Sequence, residues 1–157
     1  MELTAAAAYE AWAPAVMGYF RVHRFRDAED LTGDVFVSVA KGIGKFRGDD
    51  QAFRRWVFAI AHHRLIDEYR RVGRTAETTM ADVPEVPTSQ TPLADEELVA
   101  ALDTLTDEQR QVVTLRFLSD LPLRDVAKIL DKRAGAVKML QARGLTALKA
   151  ALQRESD

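Results

Sequence analysis

The sequence contains no cysteine in its 157 residues, so a disulfide framework, a thiolate zinc site and a cysteine nucleophile are excluded. It also lacks any apolar run near the ~18 residues that a bilayer-spanning helix needs. Its start, Met1-Glu2-Leu3-Thr4, is acidic and has none of the basic head of a secretory signal. A cytoplasmic location without membrane insertion is the expectation. Catalytic patterns are missing as well. No Ser-His-Asp arrangement or carboxylate dyad stands out, and Gly42, Gly44 and Gly48 match neither phosphate-loop spacing. His62 and His63 are adjacent, which on a helix turns their rings about 100° apart. His63 and Asp67 can meet, but two ligands without a third make a poor metal site. Enzymatic activity, a metal and a cofactor are therefore not expected.

With 47% hydrophobic and 29% charged residues, the chain can bury a core and is not disordered by composition. Its length fits one average domain or two small ones. The formal net charge of −2 conceals a segregation of charge. From Thr75 to Gln109 there are nine acids and no Lys or Arg; from Arg110 onward ten bases face five acids. Up to Arg74 there are twelve bases against ten acids, and six of those bases lie between Arg54 and Arg74. Local patches rather than the total meet a phosphate backbone, so this distribution suits a nucleic-acid partner. The plain alternative is that the charged runs are solvated helix faces.

Helical periodicity dominates, and no alternating strand is evident. A first helical stretch covers Leu3 to Phe25 and restarts at Pro14, because proline suits a first turn and not an interior. Asp27 is placed to cap a second helix, in which Leu31, Val35 and Val39 make an apolar stripe with Phe36 beside it. Gly42, Gly44 and Gly48 then break the chain. A third helix spans about Gln51 to Arg71, with Phe53, Trp56, Val57, Ile60, Ala61 and Leu65 on one buried face. Thr75 to Pro92, with Pro84, Pro87 and Pro92 among Thr, Ser and acids, reads as a linker. Four more helical patterns follow, near Leu93–Asp103, Thr106–Leu118, Pro122–Leu130 and Arg133–Gln153, and Thr106 with Gln109 has capping-box form. The expected fold class is all-α: two small helical domains, residues 1–74 and 93–157, joined by a flexible acidic linker over 75–92.

The last two helices, joined by a turn at Asp131-Lys132, have the dimensions of a helix-turn-helix. In the final helix Val137, Leu140, Leu145, Leu148 and Leu152 make the expected core stripe. Arg133, Lys138 and Arg143 are left outward among Ala136, Met139 and Ala142, the split that a major-groove helix needs. Packing plus solubility would produce the same pattern. In the third helix Arg54, Arg55, His62, His63, Arg64, Arg70 and Arg71 interleave with Trp56 and Phe58, which suits single-stranded DNA held by phosphate contacts and ring stacking. The same aromatics also fit a core, and Phe53 and Trp56 are expected to serve it in part.

In order along the chain, these segments resemble one family. The run Asp27-Ala-Glu-Asp-Leu-Thr-Gly-Asp-Val-Phe36, then Phe46-Arg-Gly-Asp49, Phe53-Arg-Arg-Trp56 and Ile60-Ala-His-His-Arg-Leu-Ile-Asp67, resemble region two of a bacterial RNA polymerase sigma factor. Leu102-Asp-Thr-Leu105, Gln109-Arg-Gln-Val-Val113, Leu115-Arg-Phe117, Asp125-Val-Ala-Lys-Ile-Leu130 and Gly135-Ala-Val-Lys138 resemble region four. The resemblance covers about residues 9–74 and 95–152, and the direct junction of the two halves is similar to the extracytoplasmic-function group. It implies promoter-specific transcription initiation, with Asp27, Asp30, Leu31, Asp34, Val35 and Phe36 in the helix that docks on core polymerase. Leu31, Val35 and Phe36 would be divided between that contact and the protein's own core. The resemblance implies that Phe46, Arg47, Asp49 and Gln51 hold a flipped base of the downstream (minus-ten) element, beside Arg54, Arg55, Trp56, His62, His63, Arg64 and Arg70. The upstream (minus-thirty-five) element would fall to Arg124, Lys132, Arg133, Ala136, Lys138, Met139, Ala142 and Arg143. Implied partners are the β and β′ subunits of core polymerase, promoter DNA both double-stranded and locally melted, and an anti-sigma factor. Five positions depart from the family pattern: Met139-Leu140-Gln141 replaces a common Ser-Arg-Leu, Gly144 stands for Ala, and Gly33 stands for Gln.

Geometry agrees with two domains. Promoter elements two helical turns apart lie roughly 70 Å from each other, whereas a single globule of this length has a radius of gyration of only about 15 Å. A linker of about eighteen residues reaches roughly 60 Å. Two other readings compete. A free-standing dimeric helix-turn-helix regulator needs a self-association surface, and no spare apolar helix is evident. A helical scaffold or enzyme needs convergent titratable groups.

Overall fold

The computed structural model describes residues 4–25, 27–76 and 96–156, and the chain divides into two compact units. In the first, the Thr4 hydroxyl accepts from the Ala7 N–H at 3.1 Å and starts helix α1, Ala5–Val22. The helix does not restart at Pro14, as expected; it passes through it. Pro14 lies on the exposed side, where solvent can satisfy the Glu10 carbonyl that loses its donor. Helix α2, Ala28–Gly42, follows Asp27, but the Asp27 side chain makes no capping bond. Its backbone, at φ −94° and ψ 35°, is outside the extended conformation that aims a capping side chain at the first turn.

A 3₁₀ turn, Ile43–Lys45, leads from α2 into the loop before α3, Asp50–Ala76. Asp49 caps this helix: its Oδ1 accepts from the Ala52 N–H at 2.8 Å. Helix α3 therefore begins one residue before the expected start and runs past Arg71. The three helices pack on one another. Val16, Tyr19 and Phe20 of α1, Leu31, Val35 and Val39 of α2, and Phe53, Val57, Phe58, Ala61 and Leu65 of α3 are buried between them. Each large side chain so buried contributes roughly 1.5–3 kcal/mol.

The second unit begins, among described residues, with α4, Glu96–Asp103. Residues 77–95, which hold most of the expected linker and the start of the expected fourth helix, lie outside the described residues. The buried Arg110 guanidinium fastens α4 to α5, Asp107–Val113. It donates to the carbonyls of Leu102 (2.9 Å), Leu105 (2.8 Å) and Asp103 (3.3 Å), and to Asp107 at 3.1 Å. One cation thus satisfies carbonyls that the end of α4 leaves without intrahelical donors. Thr106 and Gln109 form the expected capping box.

Helix α5 widens into a π turn, Thr114–Leu118, before α6, Leu123–Leu130. Asp131 ends α6 in the left-handed conformation, φ 53°, and α7, Ala134–Ser156, follows. Helix α7 packs on α4, α5 and α6. Its buried positions are Val137, Gly144 and Ala151. The expected stripe is corrected here: Leu140, Leu148 and Leu152 are half-buried, and Leu145 is 37% exposed. The reason is close approach. A Cβ at Gly144 would stand 2.9 Å from Val113 Cγ2, so α5 and α7 meet where there is no side chain, and Leu145 is turned aside.

His62 belongs to the core of the first unit, 7% exposed, with the Tyr19 hydroxyl hydrogen-bonded to its Nδ1 at 3.0 Å. Burial lowers the His62 pKa to about 4, with His63 adding to the effect, and burial raises that of Tyr19. A neutral phenol bonded to a neutral imidazole fits both shifts. Above the unfolded value of about 6.5 the imidazole is neutral in both states. Below it the unfolded chain takes up the proton first, so stability falls as pH drops from about 6.5 to about 4. At about 1.4 kcal/mol per pH unit the loss is about 3 kcal/mol. Urea unfolding of the protein and of His62→Gln across this window should show the pH-dependent loss in the first and its absence in the second. Parallel curves would mean that His62 is not the group responsible.

Candidate nucleic-acid interface

On α2 the packed stripe decides which residues face outward. Leu31, Val35 and Phe36, expected to be shared with polymerase, are 2%, 1% and 7% exposed and lie wholly in the core. Asp27, Asp30 and Asp34 are exposed, and the same face carries Val37, 54% exposed. Sequence reading passed over Val37, although the signal was there: it sits about 200° from Val35 around the helix, an apolar residue out of phase with the core. Asp34 also reaches across to α3, where Arg64 Nε and Nη2 both donate to its Oδ2 at 3.3 Å. Arg64 Nη1 is 3.4 Å from Glu68, a buried carboxylate that Arg71 contacts from the next turn. The hydrogen bond from Arg71, opposed by burial and aided by both guanidinium charges, holds the Glu68 pKa below the usual carboxylate value.

The downstream candidates separate into three groups. His62 is removed from the surface by its bond to Tyr19, because an imidazole committed to the core cannot also meet DNA. Trp56 and Phe46 stack on each other, centroids 5.2 Å apart and planes at 24°, while Phe46 meets Phe53 edge-on at 5.0 Å. Trp12 of α1 closes the cluster against Phe53 at 5.1 Å. Phe46 and Trp56 therefore offer each other the ring faces that a stacked base would use, and such pairs contribute about 0.5–1.5 kcal/mol beyond burial. In the loop, Arg47 donates to the Phe46 carbonyl at 2.8 Å, and Asp49 is occupied as the α3 cap. The remaining candidates are exposed or half-buried: Arg47, His63 and Arg70 exposed, Gln51, Arg54, Arg55 and Arg64 half-buried. Among the described residues no group of three or more His, Cys, Asp or Glu side chains is placed to hold a metal ion.

In the second unit Arg124, Arg133, Ala136, Lys138, Met139, Ala142 and Arg143 are all exposed. Lys132 is half-buried, its Nζ 3.2 Å from Glu108, so this ion pair ties the turn to α5. From Ala134 to Arg154 helix α7 contains no acid. Phe117, on the π turn, is 46% exposed with the Arg116 guanidinium 5.1 Å from its ring, and was not singled out as a surface residue by sequence. Along the far half of α7, Leu145, Leu148 and Leu152 with Lys149 and Gln153 line a shallow apolar groove of about 340 Å³.

Comparison with known proteins gives this arrangement its family. Residues 8–75 match sigma-70 region 2, and residues 101–150 match sigma-70 region 4. The ECF RNA polymerase sigma factor BldN of Streptomyces coelicolor is 33% identical over 83% of this chain, which spans 52% of BldN. The RNA polymerase sigma factor YlaC of Bacillus subtilis is 32% identical, with 78% of this chain and 76% of YlaC covered. The ECF sigma factor SigX of the same organism is 30% identical, with 83% and 73% covered. In fold the chain is similar to the sigma factor RpoE of Bartonella quintana, solved with the anti-sigma factor NepR: TM-score 0.76, 21% identity, 94% and 96% of the two chains covered. The chain belongs to the RNA polymerase sigma factors. Within them it is of the extracytoplasmic-function type. Among the described residues no helix is long and apolar enough to cross a membrane.

The aromatic cluster makes one residue of the loop decisive. Gly48 has φ +149°, and a Cβ there would lie 2.9 Å from Ala52 and 3.1 Å from the Phe46 ring. Gly48→Ala should therefore cost about 1–3 kcal/mol in the first unit and displace Phe46 from Trp56. Thermal unfolding and tryptophan fluorescence together read both effects. An unchanged melting temperature and an unchanged spectrum would show that the loop is not held by this packing.

Proposed function

We propose that the protein directs core RNA polymerase to promoters as a non-catalytic, cytoplasmic specificity subunit. The exposed face of α2, with Asp27, Asp30, Asp34 and Val37, docks on the β and β′ subunits. Helix α7 enters the major groove of the upstream element through Arg133, Lys138 and Arg143. Arg47, Gln51, Arg54, Arg55, His63, Arg64 and Arg70 meet the melted downstream element, with Phe46, Trp56 and Asp49 holding the loop in shape. The observation that carries this reading is the pair of long helices, one in each unit. Each buries one apolar face and presents bases on another, within the two segments that match regions two and four. An anti-sigma factor as a further partner is supported by the RpoE relative, which was solved with one.

The Asp34–Arg64 bridge offers a way for docking to influence DNA binding. It joins the helix that meets polymerase to the helix that meets DNA, and both side chains are partly exposed. Such a pair is stabilised by no more than about 1 kcal/mol. A polymerase cation that takes Asp34 leaves Arg64 more readily available to a phosphate. Flipping a base costs a few kcal/mol, and contacts of this kind offset it.

The test is promoter affinity of the protein alone, of core polymerase alone and of the mixture, at one salt concentration. With a net charge of −2 and nine acids without a Lys or Arg from Thr75 to Gln109, the free protein should bind weakly, near the non-specific range of roughly 10⁻⁴–10⁻⁶ M. In the mixture the second contact becomes intramolecular, which adds a factor of about 10²–10⁴. Nanomolar, sequence-specific binding by the protein alone, unchanged by polymerase, would contradict the proposal and favour a free-standing regulator.

A further inference from the structure

The outward face of α7 is chemically one-sided. Over its first three turns the exposed residues are Ala134, Gly135, Ala136, Lys138, Met139, Ala142 and Arg143, preceded by Arg133 at the helix start. The functional groups among them are cationic donors and saturated carbon. No carboxylate or amide is present on this face. Gln141, the nearest amide, is half-buried with its Oε1 enclosed, and the Thr146 hydroxyl donates to the Ala142 carbonyl at 3.0 Å. Met139 is the large apolar residue of the face: it is 55% exposed, and its neighbours Gly135, Ala136 and Ala142 supply no bulk to cover it.

Base edges in the major groove demand different partners. Guanine offers two acceptors, which a lysine or arginine donor satisfies. Adenine N7 and thymine O4 are acceptors open to the same donors, whereas the amino donors of cytosine and adenine need a carboxylate or amide acceptor. Thymine offers a methyl group, which needs apolar contact. We infer that α7 reads its promoter element through base acceptors and thymine methyl groups and takes nothing from the amino donors of cytosine and adenine, with Met139 as the residue that senses a thymine methyl between the donors Lys138 and Arg143. This rests on the proposed placement of α7 in the major groove and goes beyond it by assigning the base chemistry. It also gives a role to the departure at Met139. A serine there would offer a hydroxyl, which bonds to several bases, whereas a thioether is a weak acceptor and offers chiefly apolar contact.

The experiment alters the DNA and leaves the protein intact. On a promoter bound by the reconstituted holoenzyme, each thymine of the upstream element is replaced by deoxyuridine, which removes only the methyl group. Each guanine is replaced by 7-deazaguanine, which removes the N7 acceptor. At one or two thymines the holoenzyme should lose about three- to five-fold in affinity, the equivalent of one buried methyl group. Holoenzyme with Met139→Ala should already be weaker by a similar factor and indifferent to uracil at those sites. The deazaguanine loss should vanish likewise with Lys138→Ala or Arg143→Ala. Full affinity for an element in which every thymine is uracil would overturn the inference while leaving α7 in the groove. An upstream element that can be scrambled without any loss would instead overturn the placement of α7 itself, and this inference with it.

Discussion

Phe53, Val57, Ala61 and Leu65 follow one another at four-residue intervals along α3, and none has any solvent exposure. That row gives the helix one tolerable rotation about its axis. Turned by a single residue, it would bring Arg54 inward and lose the burial of Phe53, exchanging a contribution of roughly 1.5–3 kcal/mol for an unpaired buried charge that costs more. Helix α7 is held in the same way at seven-residue intervals by Val137, Gly144 and Ala151. Once these phases are set, the residues left for partners are set too. His63, Asp67 and Arg70 line the exposed side of α3, and Lys138, Met139, Ala142 and Arg143 that of α7.

Polar groups then finish what packing leaves open. Arg110 in the second unit and Glu68 in the first are buried ions in the middle of their networks, and each is held by several partners: Arg110 by three carbonyls and Asp107, Glu68 by Arg64 and Arg71. Their roles differ. Arg110 closes the corner between α4 and α5. Glu68 orients two cations on the surface of α3, one of which also reaches Asp34 on α2.

The all-helical class and the helix-turn-helix were legible because period 3.6 and the Thr106–Gln109 capping box are local signals. What could not be read is non-local or conformational. Leu145 fits an apolar stripe by spacing, but the contact of Gly144 with Val113 of α5 moves the buried line to the small residues. His62 looked like one more base beside Arg64, because nothing in the chain announces that Tyr19, far away in sequence, will bond to it. Trp56 was open to either reading by composition, whereas Phe46 was expected only at a flipped base; their mutual stacking is a non-local contact that the sequence does not announce. Leu31, Val35 and Phe36 erred in the other direction: their spacing already placed all three inward, and the phase leaves Val37 as the apolar residue facing out.

Because the chain lacks cysteine, a single one can carry a tethered DNA-cleaving probe without side reactions. Arg47→Cys on the loop before α3 and Met139→Cys on α7 place the probe at the two proposed reading faces. Bound to polymerase on a common promoter, the two probes should cut separate zones roughly 70 Å, or two helical turns, apart, and cutting should be faint without polymerase. Cuts from both positions in one zone, or equal cutting by the protein alone, would contradict a pair of reading heads that act together on the polymerase.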